Sequence, residues 1–93
     1  MKKMGDNLET KELNQELVRI LNEWDPFGCG YGEYDPEIAD VIFAVHEIEE
    51  AHDLAIKIQS IYEHSFEELI PYEGCLLLAK TLLALKGQAS CNL

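Results

Sequence analysis

Apolar side chains recur every three or four residues in four separate segments of this 93-residue chain. That spacing places side chains on one face of an α-helix, whereas a half-buried strand would alternate apolar and polar residues. No segment keeps a period of two for long enough to predict a strand. The sequence therefore predicts an all-α protein, a compact four-helix domain with one glycine- and aromatic-rich loop between helices 1 and 2.

Proline marks the boundaries of the first two helices. The first is predicted over about residues 8–23, and Asp25-Pro26 ends it because a residue before proline is disfavoured in the α region. The second begins with Asp35 as its N-cap and Pro36 at the first helical position. The side chains that these helices turn inward are Leu13, Leu17, Ile20, Leu21 and Trp24, followed by Ile38, Val41, Ile42, Val45 and Ile48.

The second half of the chain predicts two more helices. The third runs over about residues 53–64, and Ser65 to Glu68 then has the Ser-x-x-Glu form of a capping box, which predicts a short helical turn.

The fourth helix, about residues 71–86, is apolar over half its circumference, which is wider than a surface helix needs. We expect it to be the central helix, and a homodimer could use the extra width, with Leu77 as the contact residue. Gly87 is the expected stop, and residues 88–93 are expected to fray.

Acidic residues dominate the composition, with 18 Asp and Glu against seven Lys and Arg and a formal net charge of -11. This charge repels nucleic acid and anionic membranes, so neither is an expected partner. Residues 20–56 contain ten carboxylates and no Lys or Arg. Such a surface either keeps a small protein soluble or attracts a basic partner. Phe43, about 140° round its helix from Ile38, is expected to pack on a second neighbour, with contact to a partner as the alternative.

Length and cysteine content indicate one cytoplasmic domain, residues 1–93, with a core of about 8–87. Cys29, Cys75 and Cys91 match neither a metal-ligand spacing nor a disulfide framework, which indicates a reducing compartment. No apolar run has the length of a signal peptide or a membrane span.

The segment from Trp24 to Pro36 holds half of the glycines and half of the aromatic residues. In a structural interpretation, Trp24 and Phe27 seal one end of the bundle and the glycines permit positive φ. Tyr31 and Tyr34 would then shield the joint. In a functional interpretation, exposed aromatics beside carboxylates bind a basic protein. The residues given a structural role are Trp24, Pro26, Gly28, Asp35 and Pro36, and the candidate partner-binding residues are Asp25, Phe27, Tyr31, Glu33 and Tyr34.

No catalytic, cofactor or metal motif accompanies this loop. Its glycines lack the spacing of a dinucleotide-binding or P-loop sequence. The stretch His46-Glu47-Ile48-Glu49-Glu50 looks like a zinc-protease helix but has Glu50 where that motif needs its second histidine. We therefore predict a noncatalytic interaction module without a cofactor. The alternative is a small metal-dependent hydrolase that uses His46, Glu50 and the loop carboxylates.

The run Leu21-Asn22-Glu23-Trp24-Asp25-Pro26-Phe27-Gly28 is followed by Tyr34-Asp35-Pro36-Glu37, and later by Ile58-Gln59-Ser60-Ile61-Tyr62-Glu63 and Ser65-Phe66-Glu67. Together these stretches resemble the YugE-like family of small bacterial proteins of unknown function, over about residues 13–86. That resemblance implies an all-α domain with no established activity, cofactor or catalytic residues. A second similarity, to small bacterial proteins thought to be immunity partners of toxins, is carried by Leu21, Trp24, Asp25, Pro26, Gly28, Glu33, Tyr34 and Asp35. It implies an acidic protein that masks a basic toxin.

Overall fold

Four helices make up most of the computed structural model, which describes residues 10–91. They are α1 (Thr10–Trp24), α2 (Asp35–Glu47), α3 (Ala51–Phe66) and α4 (Tyr72–Cys91), and no strand occurs within these residues. The predicted all-α fold is confirmed. The predicted helix start at Leu8 and the last two residues, 92–93, lie outside the described residues.

The apolar stripes meet in one core. α3 and α4 share the largest interface, α2 packs on α3, and α1 contacts both α2 and α4. The buried apolar side chains include Leu13, Leu17 and Leu21 of α1, Ile38, Val41 and Val45 of α2, Leu54, Ile58 and Tyr62 of α3, and Cys75, Leu78, Ala79 and Leu82 of α4. The faces predicted from the spacing are thus the faces that pack.

The start of α2 differs by one residue from the prediction. Tyr34, not Asp35, occupies the N-cap position, and no side chain caps the helix. The Ile38 amide donates to the Tyr34 carbonyl at 2.7 Å, so the first helical turn closes on Tyr34. The Tyr34 ring is anchored in the core, which fixes the backbone at that residue. Asp35 therefore lies in the first turn, where its negative carboxylate is stabilised by the positive end of the helix dipole.

The predicted turn at Ser65 to Glu68 is wrong, because α3 continues to Phe66. The Glu67 amide donates to the Glu63 carbonyl at 2.7 Å, and Glu67 takes a left-handed conformation with φ of 59°. Extending the helix places the Phe66 ring against the core. That burial outweighs a surface capping box, which stabilises a helix by only about 1 kcal/mol.

The predicted stop at Gly87 is also wrong, since α4 continues to Cys91. A glycine inside a helix costs only about 1 kcal/mol relative to alanine. The preceding turn is anchored to the end of α2, because Lys86 Nζ donates to the Val45 carbonyl at 2.7 Å and to the Glu49 carboxylate at 3.1 Å. Residues 88–91, predicted as part of a frayed tail, are helical.

Candidate interaction surface

The loop between α1 and α2 is folded around the Asp25 carboxylate. Asp25 Oδ1 accepts a hydrogen bond from the Tyr34 hydroxyl at 2.5 Å and from the Cys29 amide at 2.9 Å. The Gly30 amide donates to the same carboxylate at 3.3 Å. The Tyr34 hydroxyl also accepts from the Phe27 amide at 3.1 Å. One carboxylate and one phenol therefore satisfy three loop amides, which holds the segment in one conformation.

The backbone of this loop needs conformations that favour glycine. Gly28, Gly30 and Gly32 have φ values of 68°, 108° and 88°. Asp25 also has a positive φ, 38°, in a region that is unfavourable for a residue with a Cβ. The hydrogen bonds to its carboxylate offset that strain. A further bond joins the Gly32 amide to Asn22 Oδ1 at 3.0 Å, which connects the loop to the buried end of α1.

Aromatic rings beneath the loop close this end of the bundle. The ring centroids of Phe27 and Phe66 lie 4.8 Å apart, and those of Tyr34 and Tyr62 lie 5.7 Å apart. Trp24 meets Tyr62 edge to face at 5.4 Å. Tyr34 and Tyr62 have no exposed surface, while Trp24 and Phe27 are partly buried. These contacts support the structural interpretation of Trp24, Phe27 and Tyr34.

Two ionisable groups in the loop have shifted pKa values. The Tyr34 hydroxyl, followed by the amides of Gly30, Cys29 and Gly28, lowers the pKa of Asp25 by stabilising its charged form. Burial, and the hydrogen bond that Tyr34 donates to Asp25, raise the pKa of Tyr34 to about 12. Both shifts favour an ionised Asp25 beside a neutral Tyr34 at neutral pH.

Of the five candidate partner-binding residues, three maintain the loop and two remain exposed on the surface. Tyr34 is buried and offers no surface to a partner, so its prediction as a partner-binding residue is wrong. The Asp25 carboxylate already accepts loop hydrogen bonds, and Phe27 packs on Phe66. Tyr31, 70% exposed, and Glu33 remain on the surface. Tyr31 thus does not shield the joint.

The largest departure from the sequence prediction is at Phe43. Its side chain is 69% exposed, so it does not pack on a second neighbour as expected. The core of α2 is already filled by the stripe that starts at Ile38, and Phe43 lies about 140° from that residue at 100° per position. Asp40, three residues before Phe43, and Glu47, four residues after it, are exposed on the same side of the helix.

Most of the acidic stretch lies on the protein surface without a compensating charge. Glu23 pairs with Arg19, and Glu49 pairs with Lys86. Six other exposed carboxylates form no ion pair within residues 10–91, and they are Glu33, Asp35, Asp40, Glu47, Glu50 and Asp53. We call these six residues, together with Tyr31 and Phe43, the acidic surface.

The hydrolase alternative gains no support from the arrangement of its residues. His46 Nε2 lies 2.8 Å from Asn14 Oδ1, so the ring is engaged with α1. Glu50 lies beyond the end of α2, at the N-cap of α3. Among residues 11–87, whose side chains the structure describes, no group of three or more His, Cys, Asp or Glu could hold a metal ion.

None of the helices described over residues 10–91 combines the length and apolar character needed to cross a bilayer.

The helices and their bonded aromatic loop define the class of protein, a small all-α bundle. The sequence profile of the family described as "Domain of unknown function (DUF1871)" matches residues 16–92, and the chain belongs to that family. The chain is 37% identical over 85 residues to the uncharacterized protein YugE of Bacillus subtilis strain 168, covering 91% of this chain and 99% of YugE. A crystal structure of a Bacillus stearothermophilus protein aligns with a TM-score of 0.81 and 51% identity, over 83% of this chain and 95% of that chain. The YugE-like resemblance is confirmed.

Proposed function

We propose that this protein is a noncatalytic interaction module that binds a basic protein through the acidic surface. One observation carries the proposal: Phe43 is 69% exposed between the carboxylates of Asp40 and Glu47. An exposed aromatic ring is a typical anchor of a protein interface, because it buries a large apolar area on binding. The surrounding carboxylates would attract a basic partner and orient it on approach.

The contact region is centred on the outer face of α2 rather than on the loop. The rigid loop adds Tyr31 and Glu33 next to the start of that helix. Its internal hydrogen bonds mean that little conformational entropy is lost there when a partner binds. This arrangement supports binding by a surface that is already formed.

An immunity-like role, in which the protein masks a basic toxin, is one form that such binding could take. The residues that carry the similarity to immunity proteins include the buried Tyr34 and the hydrogen-bonded Asp25. Those two residues maintain the loop, so a toxin would be bound by the exposed residues around Phe43.

A cytoplasmic location belongs to the same proposal. Cys29 is an exposed free thiol and Cys75 is a buried one. Unpaired thiols are typical of proteins in reducing compartments, which supports the cytoplasm as the place where the partner is met.

The proposal is tested by affinity capture from a lysate of the organism whose genome encodes the chain, with wild-type and variant proteins as bait. Phe43→Ser removes the anchor, and the pair Asp40→Asn with Glu47→Gln removes two charges from the same face. All three positions are exposed, so stability should stay within about 0.5 kcal/mol of wild type. We expect a basic protein to be captured by wild type and lost with either variant.

The matched control changes two exposed carboxylates elsewhere, Glu63→Gln and Glu68→Gln. It has the same net charge as the Asp40 and Glu47 pair, so it separates a local contact from a general charge effect. Capture that survives Phe43→Ser, or that falls equally with the control, contradicts the proposal.

A further inference from the structure

A second surface lies where α1 and α4 form an apolar groove of about 420 Å³. Its lining residues are Ile20, Glu23, Trp24, Gly74, Leu77, Leu78 and Thr81. Leu77 is 68% exposed at this groove, although the next residue along α4, Leu78, is buried. This surface shares no residue with the acidic surface.

The residues around Leu77 have opposite charges at its two ends. Glu73 is four residues before Leu77 and Lys80 is three residues after it, and both are exposed. At 100° per residue they lie about 40° and 60° from Leu77 in the same rotational direction. On the other side of Leu77, Gly74 and Thr81 lie about 60° and 40° away, next to the groove.

This pattern is complementary to itself when two α4 helices face each other in antiparallel directions. A two-fold axis through the contact at Leu77, perpendicular to the helices and to the line that joins them, makes the two α4 helices antiparallel. Residues that lie to one side of Leu77 in one copy then lie on the same side of the contact in the other copy. Glu73 then faces Lys80 of the partner subunit, and Lys80 faces Glu73 of the partner subunit. The small residue Gly74 faces Thr81 of the partner subunit, which allows close approach of the helices.

We propose that a second copy of this chain occupies the surface centred on Leu77, forming a two-fold symmetric homodimer through antiparallel α4 helices. Charge complementarity favours this occupant over another protein. Lys80 forms no ion pair with any of residues 10–91, and in the dimer it gains a carboxylate from the other copy. The pairing occurs twice, once at each end of the apolar contact, so the charges beside Leu77 are neutralised in both copies.

Sedimentation velocity of the full chain from about 1 to 100 μM tests the dimer over the range where modest interfaces associate. We expect a concentration-dependent shift from monomer to dimer mass for wild type. Leu77→Glu places a charge at the two-fold axis in both copies and should weaken association by about 100-fold or more. Leu69→Glu is the matched control, because Leu69 is 62% exposed and precedes α4, and it should leave association unchanged.

The charge arrangement is tested by reversing each partner separately. Glu73→Lys alone and Lys80→Glu alone should each weaken self-association by about 10-fold, because like charges then meet at both ends of the contact. A mixture of the two variants should instead form a heterodimer, since one copy carries two positive groups and the other two negative groups. Glu and Lys have nearly the same mass, so one variant is uniformly labelled with nitrogen-15, and native mass spectrometry then distinguishes this heterodimer from the homodimers.

Thermal unfolding of each variant confirms that the monomer is intact, as expected for exposed positions. A wild-type protein that remains monomeric at about 100 μM overturns the proposal. It is also overturned by a dimer that is insensitive to Leu77→Glu, or by single charge variants that show no preference for each other when mixed.

Discussion

Removing the Tyr34 hydroxyl tests whether the loop is held by the hydrogen bonds that the structure shows. Tyr34→Phe keeps the buried ring and its contacts with Tyr62 and Phe66, but Asp25 loses its 2.5 Å hydrogen bond. The Phe27 amide loses its acceptor at 3.1 Å. The substitution therefore isolates the polar contribution of one oxygen atom from the packing of the ring.

The expected loss follows from the kind of hydrogen bond removed. Hydrogen bonds to charged groups contribute about 1.5–3 kcal/mol, and partial access of solvent to Asp25 favours the lower end. We expect Tyr34→Phe to lower the free energy of unfolding by about 1.5–2 kcal/mol, out of about 5–10 kcal/mol for a domain of this size. Urea denaturation followed by circular dichroism measures it, and the midpoint should fall while the slope stays unchanged.

Tyr31→Phe is the matched control for this experiment. Tyr31 lies in the same loop and is 70% exposed, so removal of its hydroxyl should change the stability by less than about 0.5 kcal/mol. If the two variants have equal stability, the hydrogen bonds between Asp25 and Tyr34 do not hold the loop, and the reasoning is refuted.

Three further predictions follow from single groups. The pKa of Asp25 is lowered in the folded state, so its contribution to stability is present above its ordinary pKa of 3.8 and disappears as the pH falls through the lowered value. Urea midpoints should therefore decline less steeply on acidification in Tyr34→Phe than in wild type; identical slopes would contradict the assignment. Among residues 10–91 the buried Tyr62 hydroxyl has no hydrogen-bond partner, so Tyr62→Phe should be neutral or stabilising by up to about 1 kcal/mol. A loss of stability above about 1 kcal/mol would instead show that this hydroxyl is hydrogen-bonded. Glu67 ends α3 at a φ of 59°, so Glu67→Gly should raise the thermal midpoint by relieving strain of about 1 kcal/mol, whereas a lower midpoint would argue against the left-handed conformation.

Helical periodicity predicted the fold because it indicates directly which side chains become buried on folding. Leu13, Leu17 and Leu21 follow the spacing of one helical face, and all three are buried. The helix ends were less predictable, since Gly87 and the capping box at Ser65 to Glu68 each carry only about 1 kcal/mol of local preference. Packing of Phe66 and anchoring of Lys86 outweigh preferences of that size.

The candidate site was only partly predictable for a different reason. Asp25 and Tyr34 are nine residues apart, and the glycines between them allow many loop paths, so spacing could not show that their side chains meet. Composition correctly marked the loop as unusual but could not separate the buried Tyr34 from the exposed Tyr31. For Phe43 the spacing was ambiguous, because a position about 140° from Ile38 in the core stripe allowed either burial or exposure.

Photo-crosslinking in living cells of the organism whose genome encodes the chain tests the proposed binding surface most directly. A photoreactive phenylalanine analogue is placed at position 43, and in a separate variant at position 69, where Leu69 is also exposed. The account predicts that position 43 forms a covalent adduct with a basic protein, and that Asp40→Asn with Glu47→Gln reduces its yield. Absence of an adduct at position 43, or the same adducts from both positions, would contradict the claim that the acidic surface around Phe43 binds a partner.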